Sequence, residues 1–125
     1  MSRNLAHLGI AKKAGLLAIG SQAVSTAARR GEAKLIITAS DVSERSVRQA
    51  KSNAEHSGIN HVATPFTMYE LGSITGRGSP GTIAFLDKGL ADGFIKRLAE
   101  QTSDSEANKP KRTQAEAKKE SDAEV

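Results

Sequence analysis

Apolar positions along this chain recur in two alternating periods. Over residues 3 to 13, Leu5, Leu8 and the small residues Ala11 and Gly15 fall at helical spacing, which predicts an opening helix with Lys12 and Lys13 in its last turn. Leu16, Leu17 and Ile19 then make a brief apolar run between Gly15 and Gly20, and Val24, Ala27 and Ala28 share one helical face. That pattern reads as strand, glycine turn, helix, with Arg29 and Arg30 as a basic last turn and Gly31 as the terminator. Lys34 to Ser40 has a continuous apolar centre, the mark of a strand covered on both faces, so it is placed inside the sheet.

Asp41-Val-Ser-Glu44 sets an aspartate three residues ahead of a glutamate, which predicts Asp41 as the cap of a third helix carrying Val47, Ala50 and Ala54 inward. Its other face, with Arg45, Arg48, Gln49, Lys51 and Asn53, reads as solvated, and His56, Ser57 and Gly58 close it. His61 to Thr64 is a weak strand ended by Pro65. Thr67-Met-Tyr-Glu70 repeats the capping-box spacing at the start of a short helix through Ile74. The apolar run Thr82 to Leu86 is the last strand, and Asp87 caps a final helix with the core stripe Leu90, Ala91, Phe94, Ile95 and Leu98.

Strands and helices in alternation predict an α/β fold, a three-layer α/β/α sandwich. The domain is expected over residues 1–100. From Gln101 the chain holds no Leu, Ile, Phe, Met or Tyr, so 101–125 is expected to be a disordered charged tail.

Chemistry is excluded more readily than it is found. Without cysteine there are no disulfides, thiolate metal sites or cysteine nucleophiles. His7, His56 and His61 are dispersed, and Asp41, Glu44, Glu70 and Asp87 all have capping explanations. Gly76-Arg-Gly-Ser-Pro-Gly81 matches the dinucleotide string G-x-G-x-x-G literally, but it follows a helix and leads into a strand, the reverse of what that fingerprint requires, so it reads as a flexible connector. No catalytic set, cofactor site or metal site is expected. No apolar run approaches the roughly 18 residues of a spanning helix, and the first residues lack the apolar region of a signal peptide, so a cytoplasmic protein is expected.

Charge changes the picture. Residues 1 to 100 hold thirteen Lys and Arg against eight Asp and Glu, a balance of +5, whereas the tail holds five against six. A small basic domain points to a polyanion, although solubility alone also accounts for a modest excess. With Tyr69, Phe66, Phe85 and Phe94 as the whole aromatic set, a platform of stacked rings for single strands is not expected. The turn at Gly20 and Ser21 is the sharper candidate: it leaves the first amides of a helix as orphan donors at the positive end of the dipole, where an anion or nucleic acid fits, and a plain capped turn is the alternative.

Four strings carry a resemblance: Leu8-Gly-Ile-Ala-Lys-Lys-Ala-Gly-Leu-Leu-Ala-Ile-Gly20, Ala33-Lys-Leu-Ile-Ile-Thr-Ala-Ser-Asp41, Glu70-Leu-Gly72 and Asp87-Lys-Gly89. In order and spacing, over residues 3 to 99, they resemble the kink-turn-binding ribosomal protein superfamily, especially its bacterial YlxQ-like branch. The resemblance implies a mixed four-stranded sheet with helices on both faces. It also implies a monomer that binds sharply bent structured RNA, ribosomal RNA included, with the start of the second helix against tandem G·A pairs and the loop before the last strand on an unstacked nucleotide. The family's recognition string runs Gly, Thr, Asn, Glu, two variable positions, Lys; here it is Gly20-Ser-Gln-Ala-Val-Ser-Thr26. Gly20 and the Ser21 hydroxyl are kept, Gln22 stands for Asn, and Ala23 and Thr26 replace the acidic and basic positions. The expected RNA contacts are therefore Gly20, Ser21 and Gln22, with the charges of Lys12, Lys13, Arg29, Arg30, Lys34 and Arg77. The rival expectation, which Ala23 and Thr26 allow, is a protein-interaction module that keeps the fold without RNA affinity.

Overall fold

A computed structural model describes residues 3–106. The elements are α1 (Arg3–Lys13), β1 (Leu17–Ile19), α2 (Ser21–Arg29), β2 (Leu35–Thr38), α3 (Glu44–Ser57), β3 (Asn60–Ala63), α4 (Met68–Thr75), β4 (Thr82–Phe85) and α5 (Lys88–Glu106). The chain divides after Ile95. The first unit holds all the strands, α1 to α4 and the start of α5; the described part of the second is the rest of α5, which runs past the expected boundary at 100. The remainder of the expected tail, 107–125, lies outside the described residues.

The four strands form one mixed sheet in the order β1-β4-β2-β3. β4 runs antiparallel to both β1 and β2, while β2 and β3 are parallel. β2 is thus interior, as its unbroken apolar centre predicts, and all four of its residues are buried. The weak strand β3 is an edge.

Register assigns the two faces. Ala18, Ala84 and Ile36 stand opposite one another and point one way; Leu17, Phe85 and Leu35, and Ile19, Ile83 and Ile37, point the other. On the first face, α2 and α3 bring Val24, Ala27, Ala50 and Ala54 onto Ala18, Ala84 and Ile36. Alanines on both sides of this contact let the two helices lie close to the sheet and to each other. On the second face the residues are larger: Phe85 meets Phe94 of α5 with ring centroids 5.2 Å apart, and His7 of α1 lies 6.1 Å from Phe85. His7 Nε2 also bonds the Leu90 carbonyl at 2.8 Å, and α4 packs against α1. The result is the α/β/α sandwich expected from the sequence.

The caps differ in one respect. Thr67 and Glu70 form the reciprocal capping box on α4, and Asp87 Oδ2 accepts from Leu90 N at 2.9 Å. Asp41, however, does not cap α3. Ser43 does, accepting from Ser46 N at 3.2 Å, while Asp41 Oδ1 accepts from Met68 N, 27 residues away, at 2.8 Å. The loop between β2 and α3 therefore serves the start of α4, a long-range partner that local spacing does not reveal.

The Gly76 to Gly81 loop lies packed on its neighbours. Pro80 is buried, a side chain at Gly72 would overlap the Gly78 carbonyl, and one at Gly81 would meet Val42. Gly72 is the position that lets the loop lie flat on α4. Gly72→Ala should cost about 1–3 kcal/mol, as overpacking does, and speed amide exchange across Gly76 to Gly81; an unchanged melting temperature with unchanged exchange would contradict this packing.

His61 on β3 shares the α3 side of the sheet with Thr38, whose buried Oγ1 lies 2.9 Å from His61 Nε2. Burial first, and then the charge of Lys51, pushes its pKa down from 6.5 to about 4. Between these values the unfolded chain binds a proton that the folded chain refuses, so stability falls as pH drops through that window and levels off below it. The loss is on the order of 3 kcal/mol. Thermal melts from pH 7 to pH 4 should show a steeper fall for the wild type than for His61→Gln; parallel curves would remove His61 as the cause.

Candidate nucleic-acid interface

β1 and β4 meet as an antiparallel pair whose ladder is continued at both ends, by Leu86 N to the Leu16 carbonyl and by Gly20 N to the Thr82 carbonyl, each 2.9 Å. The second bond brings the turn into α2 beside the strand that the Gly76 to Gly81 loop feeds. Gly20 is the N-cap, with φ 97° and ψ 153°, a region open essentially to glycine alone. It offers no side-chain cap, and the first turn of α2 has no acidic residue. The carbonyl of Gly20 accepts from Val24 N at 3.0 Å, which starts the helical bonding and leaves the earlier amides of α2 pointing outward.

Two grooves flank α2. On the side of the open β1 edge, a groove of about 500 Å³ is lined by Leu17, Ala18, Ile19, Gln22, Ala23, Thr26, Ala27, Arg30, Glu32 and Leu86. On the side of α3, a groove of about 350 Å³ is lined by Ser21, Gln22, Ser25, Thr26, Arg29 and Gln49. Gln22 and Thr26 border both.

The structure divides the expected contact residues. Gly20, Ser21 and Gln22 stand together at one end of the sheet, and Arg29 joins Ser21 and Gln22 along the α3-side groove. Lys34 lies at the opposite end: its amide bonds the carbonyl of Phe85, the last residue of β4, about 10 Å along the strand from Thr82. Arg30 shares the β1-side groove with Glu32 near that same end. Lys12 and Lys13 border a groove of about 530 Å³ between α1 and α4, with Ile10, Ile74 and Gly76, on the other face of the sheet. Arg77 follows Gly76 at the exposed tip of the loop.

Two residues in the α3-side groove had no functional signal in sequence. Gln49 reads there as part of a solvated face and Ser25 as a variable helix position. The spacing Gln49, Asn53, Ser57, one turn apart, is the trace they leave: Asn53 Nδ2 donates to Ser25 Oγ at 2.9 Å and Ser57 Oγ to the Ala28 carbonyl at 2.8 Å, so this stripe faces α2. Among the described residues, no group of three or more His, Asp or Glu is placed to hold a metal, and no helix is long and apolar enough to cross a membrane. Among the described residues, the exposed large apolar side chains, Ile10 and Tyr69, are on α1 and α4 and not on α2.

The sequence model of the ribosomal protein L7Ae/L30e/S12e/Gadd45 family matches residues 5–92. Among solved structures, a protein of unknown function from Bacillus halodurans is similar with TM-score 0.73 and 21% identity, covering 79% of this chain and 99% of that one. The Giardia lamblia 15.5kD RNA binding protein is similar with TM-score 0.61 and 14% identity, covering 79% and 84%. No curated protein matches in sequence.

The conformation of Gly20 yields a direct check. Gly20→Ala should cost about 1–3 kcal/mol although open space surrounds the position, since the cost is backbone strain. Gly58→Asn, at an ordinary left-handed cap with φ 68°, should cost less than about 1 kcal/mol. Denaturant midpoints that rank the two the other way would contradict the strained turn.

Proposed function

Because the chain belongs to the ribosomal protein L7Ae/L30e/S12e/Gadd45 family, we propose that it is a non-catalytic RNA-binding protein that holds structured RNA, ribosomal RNA included, at the N-terminal end of α2. In this reading it acts as a monomer in the cytoplasm, in association with the ribosome or the translation machinery. The observation that carries the proposal is the uncapped, acid-free first turn of α2, tied by Gly20 to the strand that follows the Gly76 to Gly81 loop. Backbone amides there meet phosphate or a base edge as donors, and the helix dipole favours the negative charge.

The division of basic residues refines the reading. Arg29 and Arg30 each share a groove with first-turn residues, but Glu32 stands in Arg30's groove and no acidic residue stands in Arg29's, so Arg29 is the stronger contributor to the primary contact. Lys12, Lys13, Lys34 and Arg77 act over longer range, raising the local concentration of RNA rather than reading it. The similarity of fold to the Giardia lamblia 15.5kD RNA binding protein, at TM-score 0.61, supports this reading at the level of fold. Recognition of a kink-turn is the finer part of the proposal. Gln22 replaces Asn, while Ala23 and Thr26 border the groove beside β1, where the family pattern has an acidic residue and a lysine.

That same groove, with its small side chains against an open strand edge, is the feature that the rival reading of a protein-interaction module draws on. One experiment separates them. Affinity is measured for a kink-turn RNA and for the same RNA with its G·A pairs replaced by Watson–Crick pairs. Ala23→Glu with Thr26→Lys should tighten binding to the first roughly tenfold or more, since a base-edge pair is worth about 1–3 kcal/mol, and leave the second behind. Wild-type affinity for both should fall steeply with salt, by a slope of about 0.7–0.9 per phosphate contacted. Failure of the wild type to bind either RNA at low salt would favour the protein module, and equal gains on both RNAs would mean that this helix end does not read the G·A pairs.

A further inference from the structure

Every side chain that lines the α3-side groove carries a hydrogen-bond donor, the hydroxyl and amide groups being able to accept as well. Ser21, Ser25 and Arg29 follow one another at one-turn spacing, Gln22 and Thr26 stand beside them, and Gln49 faces them from α3. This stripe runs the length of α2, about 12 Å at the rise of a helix. Each of the lining side chains carries an N–H or O–H, and none is acidic.

Arg29 is placed to supply charge there. Its Nη2 reaches Thr26 Oγ1 at 3.5 Å, a long bond that leaves most of the guanidinium's five donors open. Among the described residues, the ion pairs are Glu44 with Arg48 and Lys88 with Asp92, so no carboxylate occupies Arg29. The groove's width is fixed from below. The Asn53 to Ser25 and Ser57 to Ala28 bonds clamp α3 against α2, and Gln49 stands one turn before Asn53 on the clamped stripe. Arg45 extends the stripe by another turn.

We propose that this groove is a track for the sugar–phosphate backbone of the bound RNA, gripping it without regard to sequence while the first turn of α2 makes the discriminating contacts. The assignment rests on the RNA reading above. Its chemistry follows from the lining: phosphodiester oxygens are pure acceptors with negative charge, and a surface whose every side chain can donate, with one uncommitted guanidinium and no carboxylate, complements them. The groove also opens directly onto Ser21 and Gln22, so a strand leaving the first turn enters it without crossing other surface.

Gln49 is exposed, so its substitution leaves the fold intact and tests charge alone. The probes are the kink-turn RNA and its Watson–Crick counterpart. Arg29→Ala and Gln49→Glu should each weaken both RNAs by the same factor, about three- to tenfold at low salt, and Arg29→Ala should lower the salt slope by about 0.7–0.9. Gln49→Lys should strengthen both, an inversion of sign that a structural role would not produce. Lys88→Glu, on α5 across the sheet, changes net charge in the same direction as Gln49→Glu and should have a much smaller effect.

The assignment is overturned if Gln49→Glu and Arg29→Ala do no more than Lys88→Glu, or if their effect is confined to one RNA. Displacement of RNA by inorganic phosphate, at an ionic strength where sodium chloride does not displace it, would overturn it in favour of a small-anion site. A wild type that binds neither RNA fails at the earlier step, and then the RNA reading falls and this assignment with it.

Discussion

The bond from Gly20 N to the Thr82 carbonyl, 2.9 Å long, is the contact on which the arrangement of the site depends. It holds two segments more than sixty residues apart in sequence: the turn into α2 and the end of the loop that precedes β4. The bond forms only if the chain bends sharply right after β1, and that bend is the φ of 97° at Gly20. A residue with a side chain would resist the bend. The helix start would then lose its position beside the loop, even with every hydrophobic contact of α2 in place.

A helix of nine residues is too short to be stable by itself, so α2 must be held by what it packs on. Its inner face is small, with Val24, Ala27 and Ala28 buried. Alanine buries little area, so the hydrophobic effect alone gives this helix modest support. Two side-chain bonds from α3 add direction, at Ser25 and at the Ala28 carbonyl. A neutral hydrogen bond of this kind contributes about 1 kcal/mol net, but it also fixes the rotation of α2 about its axis. That rotation decides which residues line which groove.

Much of the fold was legible because its signals are local. The apolar centre of β2 announced an interior strand, and the Thr67 and Glu70 box marked the start of α4 correctly to the residue. Asp41 was misread for the same reason that Thr67 was read well. The spacing Asp41 to Glu44 is a genuine capping pattern, yet Ser43 lies inside it and takes the role, which frees Asp41 for an amide 27 residues away. At the candidate site, the strained glycine and the open first turn were visible in the string Ile19-Gly20-Ser21. The groove was not. Its second wall comes from α3, and whether Gln49 faces water or α2 depends on how two helices are turned toward each other, which neither helix's own periodicity records.

The spread of positive charge carries a further consequence. Lys12 and Lys13 border a groove on one face of the sheet, Lys34 lies at the end remote from Gly20, and Arg29 and Arg30 each share a groove with first-turn residues of α2, Arg30 in company with Glu32 and Arg29 with no acidic residue. At physiological ionic strength the Debye length is about 8 Å, shorter than the distance of about 10 Å along β4 between the two ends of the sheet. The remote cations therefore attract RNA to the protein without distinguishing how it is seated. In the proposed reading, seating comes from groups that act at contact distance, and around the first turn of α2 those are amides, hydroxyls and the guanidinium groups of Arg29 and Arg30. In that reading, a site so composed draws its selectivity from the shape of the backbone presented to it, the property that the proposed recognition of a kink-turn requires.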